Sequence, residues 1–276
     1  MKQIKHLLLG WVALTYSSLG QAEIHYKIGI SDSFQPFNYR DEDGELKGFN
    51  VDIAKALCSD MKVNCEFVVT PFPKVIPALE RGSIDFATSN FLITPERAKR
   101  INFSDKYYRS TTSLIGSIDN AHQNPNEVLQ DSSVSVATQQ GSMQAKYLKN
   151  NSLAQVKEIK SIGAGLELLR QQQIDYLIAP TLFALNFLQK SENADLDFIG
   201  NPIDHPNLSG TVHIGISKHR PELKAKLDQA IFNILENGQL RIIINQYFPF
   251  DVYWHHDNTE TTNQTAIGTF RRTAYR

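Results

Sequence analysis

FNVDIAKALCSDMKVNCEFVVTPFPKVIPALERGSIDFA, residues 49–87, is the stretch on which the fold turns. Val51, Ile53, Ala54 and Leu57 fall at helical spacing across Phe49 to Met61. Cys65 to Thr70 reads as a strand, Val75 to Arg81 as a short amphipathic helix stopped by Gly82, and Ile84 to Ala87 as a strand again. With the β-rich run Ile24 to Ile30 ahead of it, the order is β-α-β-α-β with short connections. That order predicts an α/β lobe built on a mostly parallel sheet.

The rhythm returns about a hundred residues later. Ser133 to Ala137 is a predicted strand leading through Gln139-Gln-Gly-Ser142 into a helix that reaches Leu148. Val156 to Ile159 and Asp175 to Ala179 are predicted strands around a helix from Ala164 to Gln171. Pro180 begins another helix, to Gln189. His213 to Ser217 reads as a strand and Pro221 to Asn237 as an amphipathic helix ended by Gly238, with a short helix after it to Tyr247. Two similar lobes are therefore expected. At 41% hydrophobic residues the chain can bury a core in each.

The two ends read differently from the middle. Lys2 and Lys5 precede an apolar run from Leu7 to Leu14, followed by small and polar residues up to Ala22, the pattern of a cleavable secretory signal over residues 1–22. The run is shorter than the roughly 20 residues of a membrane span. No other stretch is long and apolar enough to cross a bilayer. Removing Lys2 and Lys5 from the 28 basic residues leaves 26 against 29 acidic ones, a net charge of −3. That balance argues against nucleic acid as a partner, which calls for a clustered basic surface. Beyond Trp254 the chain turns polar and patternless, and residues 255–276 are expected to be disordered. The pair His255 and His256 there is not taken as a metal site.

There are two cysteines, Cys58 near the end of the first predicted helix and Cys65 at the start of the next strand. Export would permit a disulfide between them. Two free buried thiols are the alternative, and a metal site would need further ligands that the neighbourhood lacks.

Several motifs, in order, resemble one known family. They are Gly48-Phe-Asn-Val-Asp52, Ser89-Asn-Phe-Leu-Ile-Thr-Pro-Glu-Arg97, Phe103-Ser-Asp-Lys-Tyr107, Gln140-Gly-Ser142 and Tyr247-Phe-Pro-Phe-Asp-Val-Tyr253. From Ile24 to Tyr253 the chain is similar to the periplasmic solute-binding proteins for polar amino acids, among them the histidine and the lysine/arginine/ornithine binders. The spacing of Cys58 and Cys65 also matches a disulfide loop found in the cationic amino-acid binders. The resemblance implies a type II periplasmic-binding-protein-like α/β fold, two lobes joined by two hinge strands with a ligand cleft between them. It places lobe 1 at residues 23–109 plus 211–254 and lobe 2, inserted, at 110–210, with crossings near Ser110-Thr111 and Gly210-Thr211.

The same resemblance implies site residues. Arg97 would grip a ligand carboxylate through its planar fork. Phe34 and Phe72 would sandwich the ligand's side chain, Ser89 and Asn90 would add polar contacts, and Ser142 and Met143 would present a helix N-terminus to the anion. A surface arginine, core phenylalanines and ordinary helix capping are the plainer readings of these residues.

Three positions depart from the family. Pro180 stands where an aspartate receives the ligand's ammonium, Leu92 where a hydroxyl is usual, and Ser31 where the lysine/arginine binder has an acid, so that the adjacent Asp32 is expected among the ligand-binding residues. Asn90, Asp204 or an ordered water are the substitutes considered for the missing acid. The ligand expected is a small carboxylate that is not a cationic amino acid in the family's usual pose. The function expected is that of a periplasmic binding protein of an ABC-type amino-acid importer. It would close about its hinge and present the closed shape to an inner-membrane permease, as a monomer with no metal or organic cofactor. Two other classes stand beside it: a lyase of the cyclohexadienyl dehydratase kind, which needs a general acid in the cleft, and a stand-alone sensory ligand-binding module.

Overall fold

The computed structural model describes residues 24–253. The expected leader, residues 1–22, and the expected disordered tail, 255–276 with its two histidines, lie outside the described residues.

The first sheet begins with β1 (His25–Ile30), whose buried and exposed residues alternate at its outset before the strand sinks into the core. Three short strands, β2 (Ser33–Phe34), β3 (Asn38–Arg40) and β4 (Leu46–Lys47), form a small antiparallel sheet of their own. Helix α1 (Phe49–Asp60), strand β5 (Asn64–Val69), helix α2 (Phe72–Glu80), strand β6 (Phe86–Phe91), helix α3 (Pro95–Arg100) and strand β7 (Asn102–Ser110) follow. The chain then crosses to the second sheet through β8 (Thr112–Ser117), α4 (Pro125–Val128), β9 (Ser135–Gln139), α5 (Met143–Asn151), β10 (Gln155–Ile159), α6 (Ile162–Arg170), β11 (Tyr176–Pro180), α7 (Thr181–Leu188) and β12 (Leu196–Ile199). It returns along β13 (Gly210–Ile216) and finishes with α8 (Glu222–Glu236) and α9 (Gln239–Tyr247).

Both sheets follow one plan. Their strand orders are β5-β1-β6-β13-β7 and β10-β9-β11-β8-β12. In the first, β1 runs parallel to β5 and β6, and β13 runs antiparallel to both of its neighbours. In the second, β9 runs parallel to β10 and β11, and β8 is the reversed strand. The expected mostly parallel sheet is thus present twice, each time with one strand turned round. The physical reason is the crossing: β8 and β13 are the strands that arrive from the other lobe, so they enter against the local direction. Gly210 pairs with Ser110, which sets the two crossing segments side by side.

Helix α2 starts earlier than the periodicity predicts, at Phe72 rather than Val75. Proline is tolerated in a first turn, where its missing N–H has no acceptor in any case, so Pro73 does not delay the helix. Phe72 consequently sits on a helix and not in a loop.

What fastens the returning chain to the first sheet is aromatic. Phe49 is fully buried, with the rings of Tyr108 at 5.5 Å, Phe37 at 5.9 Å and Phe248 at 5.3 Å, all edge-on. Tyr247 donates from its hydroxyl to Asp52 Oδ2 at 2.5 Å. Edge-to-face geometry adds to plain area burial in such clusters. Phe49 and Asp52 thus tie α1 to the end of α9, two elements far apart in the chain. No helix among the described residues is long and apolar enough to cross a membrane.

Cys58 on α1 and Cys65 on β5 form a disulfide, seven positions apart with Cα atoms 6.3 Å from each other. A loop this short removes about 2–3 kcal/mol worth of freedom from the unfolded chain on the chain-entropy account. The double substitution C58S/C65S should therefore lower the unfolding free energy by about 2 kcal/mol in urea titration. A variant as stable as the parent contradicts this.

Candidate functional site

Ligands of open α/β sheets sit beyond the carboxyl ends of the parallel strands. In this chain those ends face one another. Ser31 follows β1, Leu92 follows β6, Gln139 ends β9 and Pro180 ends β11, and all four line one cavity between the lobes. The cavity measures ≈ 60 Å³. On the same measure one buried water needs roughly 10–15 Å³, so the space suits a small guest.

Seven of the eight residues expected to touch a ligand line this cavity: Arg97, Phe34, Phe72, Ser89, Asn90, Ser142 and Met143. Asp32 does not. Its carboxylate is 3.0 Å from Arg40 Nε on the half-exposed side of the loop, and its neighbour Ser31 faces inward instead, held by the amide of Asn38. Asp204 is exposed and also stands apart from the cavity.

Arg97 is positioned from the backbone outward. Pro95 starts α3, and the Thr94 hydroxyl accepts from the Arg97 N–H, a side-chain N-cap. This turns the arginine side chain inward, where the residue is only 8% exposed. Its guanidinium donates to the Leu92 carbonyl at 3.0 Å and, across the gap between lobes, to the Gly141 carbonyl at 3.4 Å. It also lies over the Phe91 ring, 5.4 Å from the centroid. Gly141 is left-handed at φ 75°, a conformation that favours glycine at this turn, and a Cβ there would be in ordinary contact with Pro73 at 3.6 Å. Burial pulls the guanidinium's pKa down to about 10, leaving it charged at neutral pH. Among the described residues no carboxylate pairs with it. A guanidinium carries five N–H donors, and two are used, on neutral carbonyls.

The polar groups around Arg97 are also waiting for a partner. Ser89 Oγ and Asn90 Nδ2 are buried with no hydrogen bond, while Asn90 Oδ1 already accepts from the Tyr107 hydroxyl. Asn90 holds a positive φ of 58°, which aims its side chain from the end of β6. On the opposite lobe, Ser142 Oγ is occupied as the N-cap of α5, accepting from Ala145 N–H. Ser142's hydroxyl is therefore a cap, as the plainer reading has it. The first-turn N–H groups of Met143 and Gln144 have no acceptor within the helix, and the helix's positive end favours an anion there.

Among the described residues no aspartate, glutamate, lysine or histidine lines the cavity, and Arg97 is the one charged residue that does. Pro180 and Leu92 line it, so two of the three departures from the family pattern present apolar surface where a guest would sit, and Ser31 is the third.

Phe34 behaves differently from the expected half of a sandwich. Its ring stacks on Phe37 at 4.9 Å and 15°, and on Phe183 of α7 at 4.8 Å and 8°. Both faces are covered, so only the ring edge can meet a guest. Phe72 keeps one tilted neighbour, Phe91 at 5.9 Å. Sequence reasoning passed over Asn38, Thr112 and Gln144, which also line the cavity. Asn38 comes from a three-residue strand and Thr112 from the crossing, neither of which carries a periodic signal. Gln144 lies one residue beyond the helix start that was already singled out.

The lobes meet at a second point. Glu96 on α3 and Lys146 on α5 form an ion pair at 2.8 Å. The lysine ammonium, with the glutamate's own N–H and the Thr94 hydroxyl, holds the Glu96 carboxyl down to about 2 from an ordinary 4.5. A depressed carboxyl contributes above its unfolded value and loses that contribution as pH falls through the folded one. The stability difference between the parent and Glu96→Gln should accordingly be constant above about pH 4.5 and shrink toward zero near pH 2, followed by thermal unfolding. A difference that does not change across that window contradicts the pairing.

The family model of bacterial extracellular solute-binding proteins, family 3, matches residues 26–250. An L-arginine-binding protein of Pseudomonas aeruginosa is 31% identical over 265 residues, spanning 90% of this chain and 98% of the relative. The lysine/arginine/ornithine-binding periplasmic protein of Escherichia coli is 28% identical, spanning 89% of this chain and 94% of its own. Among solved structures, an ancestral arginine-binding protein bound to arginine superposes with a TM-score of 0.74 at 27% identity, over 81% of this chain and 98% of that one.

Proposed function

Because the chain belongs to the bacterial extracellular solute-binding proteins of family 3, we propose that it is the periplasmic binding component of an ABC-type importer and takes an amino acid or related small carboxylate into the gap between its lobes. The observation that carries the ligand class is the buried Arg97 charge in a cavity lined by no acid. A carboxylate there would meet the remaining donors of Arg97, Asn90 Nδ2, Ser89 Oγ and the N–H groups that open α5. Charge-assisted bonds of this kind are about twice as strong as neutral ones.

The relatives named above are arginine and lysine/arginine/ornithine binders, and the missing acids set this chain apart from that chemistry. A cationic guest would carry its ammonium and its side-chain charge into a space with no counter-charge, which is costly when water is excluded. Uncharged and acidic side chains avoid the second of these charges, and a plain carboxylate avoids both. A lyase needs a group that can give up a proton at the leaving group. The cavity's lining offers no carboxyl or imidazole for that step, which favours binding over turnover.

Lobe 1 would comprise residues 23–109 and 211–254 and lobe 2 residues 110–210, with hinges at Ser110-Thr111 and Gly210-Thr211. The contacts across the gap come from both lobes, so a guest that touches Arg97 and the start of α5 together biases the closed form. The inner-membrane permease would read that form from a monomer, exported through the leader at residues 1–22.

Titration calorimetry with a panel of acidic, neutral and basic amino acids and plain carboxylates tests this. Acidic or neutral members should bind, and Arg97→Met should weaken them by roughly 2–5 kcal/mol, thirty-fold or more. Micromolar binding of arginine, lysine or histidine by the parent contradicts the ligand class.

A further inference from the structure

The stacked rings of Phe34 and Phe183 separate two spaces of unlike character. Phe34 and Ile162 line the enclosed cavity. Their chain neighbours Ser33 and Gly163, together with Phe183, line a surface groove of ≈ 350 Å³ that spans both lobes. Gly163 is close enough to the first lobe that a Cβ there would lie 3.6 Å from the Ser33 carbonyl. The ring pair stands where these two runs of chain meet, with ring centroids 4.8 Å apart and planes 8° from parallel. On its far side Phe34 rests on Phe37, which stacks in turn on Tyr108, so both faces of Phe34 are taken.

We infer that Phe183 is a specificity-determining residue that fixes the length of the guest: its ring occupies the face of Phe34 along which a longer molecule would lie, and closes the way from the cavity into the groove. This rests on the reading of the cavity as the guest site. The charge on the two sides differs as well. The cavity holds only the Arg97 cation, whereas Glu167 and Glu192 line the groove beside Arg170 and Lys190. Arg170 and Glu192 lie 3.8 Å apart there, and the Glu167 carboxylate accepts from the Gln171 amide. A molecule anchored at Arg97 and reaching past the partition brings its far end to those carboxylates. Those carboxylates are balanced by Arg170 and Lys190, so removing the ring changes the preference toward longer guests, charged or not. Phe183 is a single residue of lobe 2 acting on a ring of lobe 1, so its effect exists only in the closed arrangement.

The test compares the parent with Phe183→Ala and Phe183→Leu, the leucine variant keeping the packing volume if alanine does not fold. Each is titrated by calorimetry with straight-chain carboxylates from acetate to octanoate and with glycine, glutamate and lysine. The parent should favour the short members, and Phe183→Ala should move the ratio of long to short affinity by at least tenfold, with glutamate and lysine both gaining on glycine. An identical length profile in all three proteins overturns the assignment, even if every affinity falls. A measurement without any guest accompanies it. The two native cysteines are joined in the disulfide, so Ser89→Cys places a unique thiol on the cavity wall. Its alkylation by iodoacetamide should speed up tenfold or more when Phe183→Ala is added. It should not do so when Glu96→Gln, which loosens the lobes elsewhere, is added instead. Equal rates in the two combinations overturn the partition. If no carboxylate binds any of the proteins, the ligand reading falls by itself and the thiol rates decide the role of Phe183.

Discussion

A buried positive charge without a counter-charge is the constraint from which the rest of this molecule follows. An isolated charge taken out of water is expensive, and it persists where something else repays the cost. Arg97 is held in that condition by its own helix cap and by two backbone carbonyls, one from each lobe. Neutral carbonyls orient the guanidinium without cancelling it. Ser89, Asn90 and the start of α5 add donors that are equally unsatisfied. The ensemble is arranged as the complement of an anion, and an anion touching both lobes repays the desolvation of Arg97 while holding the lobes together.

Topology explains why the two halves of this arrangement can meet. Each sheet contributes the carboxyl ends of its parallel strands to the same gap, and each contains one reversed strand delivered from the other lobe. The paired crossings at Ser110 and Gly210 leave two adjacent strands of chain between the two sheets, and one continuous apolar cluster runs from Phe37 and Tyr108 on one side to Ile162 and Phe183 on the other. Away from the crossings the contacts between the lobes include the Glu96–Lys146 pair, the Arg97–Gly141 bond and the Phe34–Phe183 stack. Each is weak or solvent-exposed enough to be exchanged for contacts with a guest or with water. That is what a closing device requires.

Much of this was legible in the sequence, and unevenly so. The helices α1 and α8 carry apolar residues at helical period, and both are where that period puts them. Gly48 could be recognised as part of a motif, and the structure gives the reason: at φ 125° a Cβ there would fall 2.4 Å from the Phe37 carbonyl. The cysteine pair was legible from its placement at a helix end and a strand start. The strands of the small antiparallel sheet were not, since two or three residues are too few to show alternation. Nor was the reversal of β8 and β13, which depends on where the chain has come from. At the site, Arg97 and its neighbours at the end of β6 stood in one motif. The covering of Phe34 did not, because Phe183 belongs to another lobe and looks in sequence like any apolar helix residue. Asp32 misled for a local reason: adjacent loop residues point to opposite sides, and Ser31 took the inward one.

The central claim is that the Arg97 charge selects what fills the gap. Native mass spectrometry of the freshly purified full chain, with the released small molecule identified after denaturation, addresses it most directly. The account predicts one compact acid per chain, bearing a carboxylate and no basic side chain, and none on Arg97→Met protein prepared in parallel. A bound arginine, lysine or histidine, or a guest with no acidic group at all, would contradict it.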